Sequence, residues 1–181
     1  NLLMVERLVR RDIVANGLDL VRITCTLDQR EAVRGARYVF CTARIGGLPA
    51  LATDIEVPLR YGIDQCIGDT LCAGGIMYGQ RGIPMILALC QDIREEAEPD
   101  CRFFNYANPM AMLTWAANRY GEVPAVGLCH GVQGGHKQIA EVIGVPSEDL
   151  EYRCAGINHQ TWYIQLSYQG CLLYTSPSPR A

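Results

Sequence analysis

The sequence predicts an α/β fold with a largely parallel sheet and helices on both of its faces. Two observations predict it. Short apolar runs alternate along the 181 residues with segments of helical periodicity, and no internal repeat interrupts them. Hydrophobic residues make up 49% of the chain and charged residues 19%, which is typical of a globular protein.

The first elements are predicted as a helix, a strand, a short helix and a second strand. Apolar residues over 4–13 follow helical spacing, and Gly17 suits the end of that helix. The β-rich run at 21–26 predicts a strand. Asp28 can cap the short helix that follows, and the apolar run at 37–42 predicts the next strand.

The alternation continues with a long helical segment over 76–98 and an apolar strand over 101–107. That strand stops at Asn108, which suits a helix cap. Pro109 suits the first turn of the helix that follows, because its missing N–H would have no helical partner there.

The last predicted strand of the parallel sheet is PAVGLC, followed by the turn HGVQGG and the helix KQIAEVIG. TWYIQLSY alternates like a half-exposed strand and could open a second subdomain. We therefore predict one α/β domain over 1–150 and the start of a second domain over 151–170. The Ser/Pro-rich stretch 171–181 is predicted to be a foreign or disordered tail.

Charge and composition restrict the partners. The net charge of -3 argues against a nucleic-acid surface, and small molecules are the expected ligands. No apolar run reaches membrane-spanning length and the N-terminus lacks a signal-peptide pattern, so we expect a cytoplasmic protein without a membrane contact. The nine cysteines are scattered singly, without a CxxC pair, which indicates free thiols in a reducing compartment.

In parallel sheets, ligands bind at the carboxyl ends of the strands, so the loops there are where we look for binding and catalytic residues. Cys129 and His159 follow two of these strands and could share a divalent metal ion. A closed zinc site needs four ligands, so two would indicate an open site completed by water or substrate oxygens. Packing of both side chains without a metal is the alternative for these residues.

Two further histidines lie near Cys129. His130 could act as a general acid or base, or pair with Cys129 as a nucleophile dyad, although neighbouring residues usually point apart. His136 is expected to be a solvated turn residue.

The other strand-end loops carry three candidate features. Gly46 and Gly47 would let a cofactor approach the backbone, or only form a turn, and no GxGxxG fingerprint is present. Asp69 could cap a helix or orient a catalytic group, and Asn108 could be only a cap.

Four segments, DTLCAGGIM, NYANPMAMLTWA, VGLCHGVQG and YRCAGINHQTWY, resemble in this order and spacing the NAD-dependent glycoside hydrolases of family 4. The resemblance covers residues 1–168. A His after the motif Cys, as in CHGVQ, resembles the α-galactosidase group, whereas the 6-phospho-glycosidase group has Asp there. The resemblance implies that residues 1–150 are a partial NAD-binding Rossmann-like domain, with its first strand and phosphate loop missing. It also implies that residues 151–170 begin a lactate/malate dehydrogenase-like C-terminal substrate domain.

The resemblance also implies a mechanism unlike two-carboxylate hydrolysis. NAD takes hydride from C3 of the sugar, a base removes the acidified C2 proton, elimination breaks the glycosidic bond, water adds and the hydride returns. Cys129 and His159 match the ligands of the family metal, usually Mn²⁺, and Asn108 matches a substrate-binding Asn. His130 is the candidate acid for the leaving group, and Asp69 matches a position that tunes the catalytic base.

Several expectations follow from this resemblance. The complete protein is expected to form a dimer or tetramer and to act on a glycoside. The 181-residue chain by itself is expected to be inactive, because the family's catalytic Tyr and most of its substrate domain are missing. An α-glucuronidase or α-galacturonidase of the same family, a 2-hydroxy-acid dehydrogenase and a non-catalytic nucleotide-binding module remain as alternatives.

Overall fold

The computed structural model describes residues 2–18, 20–66 and 68–173, and it contains two separate three-stranded sheets. The first sheet has the order β1-β2-β3 and is parallel. Its strands are β1 (Tyr38–Cys41), β2 (Arg102–Asn105) and β3 (Ala125–Gly127). The predicted α/β class with a parallel sheet is therefore confirmed.

The described residues contain six α-helices: α1 (Leu2–Ala15), α2 (Gln29–Val33), α3 (Gly47–Arg60), α4 (Cys72–Glu96), α5 (Met110–Tyr120) and α6 (Gly131–Ile143). The cap predicted for α2 is confirmed, because the Asp28 side chain accepts a hydrogen bond from the Glu31 backbone N–H. None of the described helices combines the length and apolar character needed to cross a lipid bilayer.

The core lies between one face of the parallel sheet and the helices α4 and α5. Phe103, Ile86 and Leu113 are at most 1% exposed and contribute its largest apolar side chains. The other face of the sheet is open in the described chain, since Phe40 and Val126 are 65% and 54% exposed. Helices therefore cover one face here, rather than the two that were predicted.

A second sheet of antiparallel strands follows: β4 (Leu150–Ile157), β5 (Gln160–Tyr168) and β6 (Cys171–Leu172). The strand predicted over TWYIQLSY is confirmed. Residues 171–172, predicted as part of a tail, pair with β5, and residues 174–181 lie outside the described residues. The domain boundaries stay a prediction.

Two local predictions were wrong. Residues 21–26 form no strand, because a β-rich run becomes a strand only beside a partner, and no described strand lies beside it. The predicted turn HGVQGG belongs to α6, which begins at Gly131. Gly135 allows this helix to approach β5, since a Cβ there would lie 2.6 Å from the Tyr163 hydroxyl oxygen.

Helix α4 begins four residues earlier than the predicted start at residue 76, and α3 had not been predicted. The added first turns contain Gly74 and Gly75, and both glycines are buried inside the helix. Their role becomes visible only in the contacts with the preceding loop.

Candidate active site

The end of β2 is shaped by Asn105, which is completely buried. Its side-chain amide donates to the Ala107 carbonyl at 3.1 Å and to the Thr114 hydroxyl at 3.2 Å, and its Oδ1 accepts from the Ala107 N–H at 3.1 Å. This local network fixes the loop that carries Asn108. Sequence reasoning had missed Asn105, although a polar residue that ends a buried strand could have been noticed.

Asn108 is not the helix cap that its position suggested. Pro109 occupies the N-cap position of α5 and is buried, and the peptide bond before it is cis. The Asn108 side chain lies against a different group, since its Nδ2 is 3.5 Å from Oδ2 of Asp69. The loop thus brings together two residues that are 39 positions apart.

Asp69 does not cap α4 either, because the helix begins at Cys72 after the N-cap residue Leu71. Its Oδ2 accepts a hydrogen bond from Arg44 Nη2 at 2.8 Å, and its Oδ1 accepts from the Thr70 hydroxyl at 3.2 Å. Burial by itself would raise the pKa of Asp69, but Arg44 together with Asn108 and Thr70 holds this pKa below its usual value. Asp69 is therefore an ionised acceptor at neutral pH.

His159 joins the same network through Thr70. Its Nδ1 lies 3.0 Å from the Thr70 hydroxyl oxygen, across 89 positions of sequence. Because the Thr70 hydroxyl donates to Asp69, its oxygen can accept a hydrogen bond from Nδ1. With Nδ1 engaged by Thr70, Nε2 is the ring nitrogen left for a metal ion.

The backbone of His159 is also unusual. The residue lies in the two-residue connection between β4 and β5 and has a φ of 63°, in the left-handed region. Non-glycine residues adopt this region rarely, and such conformations cluster at functional sites. The tight turn projects the imidazole toward the loop before α4.

Cys129 and His159 line the same cavity of about 590 Å³. The Gly131 N–H at the start of α6 donates to Cys129 Sγ at 3.3 Å. The cavity walls come from the end of β3, the start of α6 and the β4–β5 connection, with residues Met110, Gly127, Cys129, Gly131, Val132, Cys154, Ala155, Gly156, Ile157, Asn158, His159, Thr161 and Tyr163. A thiol and an imidazole thus face one chamber.

This donor set fits an open metal site. Within the described ranges, no three His, Cys, Asp or Glu side chains come together as a metal site, so the candidate ligands in the cavity are the two proposed from the sequence, Cys129 and His159. The remaining coordination positions would go to water or to ligand oxygens. Asn158, which sequence reasoning had missed, adds a buried Oδ1 without a hydrogen-bond partner among the described residues at the wall of the cavity.

The two neighbouring histidines take different positions. His130 is exposed beside Cys129, outside the cavity lining, and its Nδ1 lies 3.3 Å from the Tyr106 hydroxyl. His136 is not a solvated turn residue, since it lies within α6 and its Nε2 is 2.7 Å from the Leu150 carbonyl. It also packs against the Tyr152 ring, and so it joins α6 to the second sheet.

Gly46 and Gly47 form the turn that leads into α3. Both have positive φ, 85° and 61°, and a Cβ on Gly46 would lie 2.5 Å from Cβ of Ala50. Turn geometry therefore accounts for the glycine at position 46. Arg44, two residues before Gly46, reaches Asp69, and sequence reasoning had not selected it within this loop.

Comparison with known proteins identifies the family of the chain. Residues 4–145 match the model of the family 4 glycosyl hydrolases. The chain is 57% identical over 170 residues to an α-galactosidase from Rhizobium meliloti strain 1021, covering 94% of this chain and 34% of that protein. It is 40% identical over 155 residues to an α-galactosidase from Bacillus subtilis strain 168, covering 85% of this chain and 36% of that protein.

A solved structure shares the fold. The 6-phospho-α-glucosidase from gut microorganisms in complex with NAD and Mn²⁺ aligns with a TM-score of 0.72 and 28% identity, over 82% of this chain and 34% of that one. The chain spans about a third of the length of the relatives that it matches. The matched segment contains Asp69, Asn108 and Cys129, and the chain belongs to the family 4 glycosyl hydrolases.

Proposed function

We propose that the whole protein hydrolyses α-galactosides with bound NAD and Mn²⁺ as cofactors. The observation that carries this proposal is the shared cavity: Cys129 and His159 both line it, and Nδ1 of His159 lies beside the Thr70 hydroxyl. The α-galactosidase relatives at 57% and 40% identity favour galactosides over other glycosides.

Cys129 and His159 would hold the metal ion. When bound, Mn²⁺ supplies a Lewis acid for sugar oxygens, and NAD supplies a reversible acceptor for a hydride from a sugar carbon. The two protein ligands leave coordination positions open for substrate hydroxyls and water. Gly46 and Gly47, at the exposed start of α3, are proposed as the place where the nucleotide passes the backbone.

Asn108, Asp69 and His130 would act on the sugar. The Asn108 amide lies beside Asp69 and can donate to or accept from a hydroxyl group. Asp69 remains charged and orients its neighbours, including the hydroxyl that supports His159. His130 is proposed to donate a proton to the leaving-group oxygen, because its exposed imidazole lies next to Cys129 at the start of α6.

The test uses the whole protein and chromogenic α-galactosides, with and without NAD, Mn²⁺ and a reductant. Cys129→Ser is expected to lose Mn²⁺ affinity and activity by at least the roughly 10- to 100-fold that removal of an outer metal-site partner costs. Cys154→Ser is the matched control, because Cys154 lines the same cavity but is not proposed as a ligand. Mn²⁺ binding is measured separately by electron paramagnetic resonance.

The outcomes separate the candidate functions. Activity that needs NAD without consuming it, and that Cys129→Ser abolishes, supports the proposal. Preference for α-galacturonides or α-glucuronides in the same panel would change the assigned substrate class and keep the family mechanism. Equal Mn²⁺ binding by Cys129→Ser and Cys154→Ser would contradict the assigned metal ligands.

A further inference from the structure

Tyr78 contacts two arginine side chains, one of which is the Arg44 that pairs with Asp69. The tyrosine is 3% exposed, and its ring centroid is 5.3 Å from Cζ of Arg44 and 5.6 Å from Cζ of Arg81. A guanidinium near an aromatic ring is attracted by the negative face of the ring, and this attraction grows when water is excluded. The buried ring thus contacts both cations.

Arg81 is held from the other side by a buried carboxylate. Its Nη1 donates to Oδ1 of Asp54 at 2.9 Å, and its Nη2 pairs with Oδ2 of the same residue. The Asp54 side chain is 4% exposed. A forked pair of this kind fixes a guanidinium in one orientation, which a single contact would not do.

The Asp54–Arg81 pair is itself anchored to the helix junction. The Asp54 carbonyl accepts from the Gln65 side chain at 3.0 Å, and Gln65 Oε1 accepts from the Gly74 N–H at 2.8 Å. The pair therefore belongs to the packing of α3 against the start of α4. A buried ion pair contributes little net stability compared with apolar side chains, so its orienting effect is the more informative property.

Arg44 joins Tyr78 to the candidate site. Arg44 has a side chain that is 35% exposed, and its charged contact is Asp69 at 2.8 Å. Asp69 in turn contacts Asn108 and Thr70. Because Asp54 neutralises Arg81, the Tyr78 ring can face a second cation without a strong like-charge repulsion.

We propose that Asp54, Arg81 and Tyr78 form a positioning unit that holds the Arg44 guanidinium against Asp69. These three residues touch neither the cavity nor its proposed ligands and act through Arg44. The effect on turnover rests on the proposed function, whereas the ordering of Arg44 does not. Through this unit, the packing of α3 against α4 determines where the Arg44–Asp69 ion pair lies beside Asn108.

The experiment measures the guanidinium protons of Arg44 by NMR in the 181-residue chain labelled with ¹⁵N-arginine. The signal is assigned by its loss in Arg44→Met. Tyr78→Leu is expected to speed the exchange of these protons with water by about 2- to 30-fold, the range that corresponds to loss of a cation–π contact. Tyr78→Phe keeps the ring and is expected to leave the exchange unchanged.

A second variant removes the anchor without leaving a buried charge. Asp54→Leu combined with Arg81→Met is expected to speed Arg44 exchange in the same way, while backbone signals remote from Arg44 stay in place. Unchanged Arg44 exchange in folded Tyr78→Leu, or in the folded double variant, overturns the proposal. Global unfolding of both also overturns it, because the residues would then be core elements.

Turnover gives an independent check in the whole protein. If the unit acts through Arg44, Tyr78→Leu lowers kcat/KM in the wild-type background but has no further effect beside Arg44→Met. Additive losses contradict the proposal. Absence of glycosidase activity in the wild type would contradict the proposed function, and the NMR result would still decide whether Arg44 is positioned by this unit.

Discussion

The two halves of α4 contrast in composition and in what they contact. In residues 72–82 the buried positions are four glycines and Tyr78, whereas in residues 83–96 they are Ile86, Leu89, Cys90 and Ile93. Glycine in a helix interior costs about 0.5–1 kcal/mol relative to alanine. The first half therefore gives up helix stability, and the second half supplies the apolar core.

The glycines of the first half allow neighbouring segments to come close. A Cβ on Gly74 would lie 2.3 Å from the Gly68 carbonyl oxygen, and one on Gly75 would lie 2.4 Å from the Thr70 carbonyl carbon. The loop before the helix, which carries Asp69 and Thr70, is thus pressed against the helix backbone. The close approach of the loop to the glycines positions the hydrogen bonds of Asp69 and Thr70. The large apolar side chains in the second half of α4 stabilise the helix against the core.

The largest effect is expected in the second half. Ile86 is 0% exposed, and Ile86→Ala should lower the free energy of unfolding by about 2–5 kcal/mol, because it removes buried methyl groups and leaves a cavity. Urea unfolding of the 181-residue chain measures this change. Ile76→Ala is the matched control in the first half, since Ile76 is 53% exposed, and it should change stability by less than about 0.5 kcal/mol. Equal decreases in the free energy of unfolding for the two variants would contradict the idea that the second half supplies the core and the first half does not.

A smaller effect is expected from Gly75→Ala. The added methyl group must displace the backbone at Thr70, so the free energy of unfolding should fall by about 1–3 kcal/mol, and the NMR signals of the His159 ring should shift. Gly134→Ala is the control, because no atom lies within 4 Å of a Cβ at that helical position. That variant should be neutral or slightly more stable. An unperturbed His159 signal in Gly75→Ala would show that the glycine has no positioning effect.

The smallest effect concerns Asp69 and pH. Because the folded pKa of Asp69 is lowered, its contribution to stability is present above the unfolded value, about 3.9, and is lost as the pH falls through the folded value. The stability difference between wild type and Asp69→Asn should therefore shrink between pH 6 and pH 3. In an Arg44→Met background the same substitution should depend less on pH. A difference that grows on acidification would contradict the assigned direction.

Two cysteines illustrate how residues of one type come to have different environments in the folded chain. Cys90 is completely buried in the second half of α4, and burial raises the pKa of its thiol to about 11, so it stays protonated at neutral pH. Cys129 lines the cavity beside His159. Both follow apolar residues in the sequence, and only the motif around Cys129 distinguished it from a packed thiol.

Much of the fold could be predicted because it depends on short-range patterns. Helical periodicity predicted α1, apolar runs predicted the three parallel strands, and Asp28 predicted a cap. The predictions failed at residues 21–26 and at the start of α6, where partners distant in sequence decide the outcome. A strand needs a neighbouring strand to pair with. Glycine at position 135 lets α6 pack closely against Tyr163 of β5, and the sequence near Gly135 does not reveal that contact.

The sequence alone determined the α/β class, and its motifs selected Cys129, His159, Asp69 and Asn108 as candidate site residues. Only the tertiary structure decided how they are arranged, because the contacts that link them join residues far apart. The hydrogen bond between His159 and Thr70 spans 89 positions, and the Arg44–Asp69 pair spans 25. Local propensities contain no information about such contacts, which depend on how closely whole elements pack.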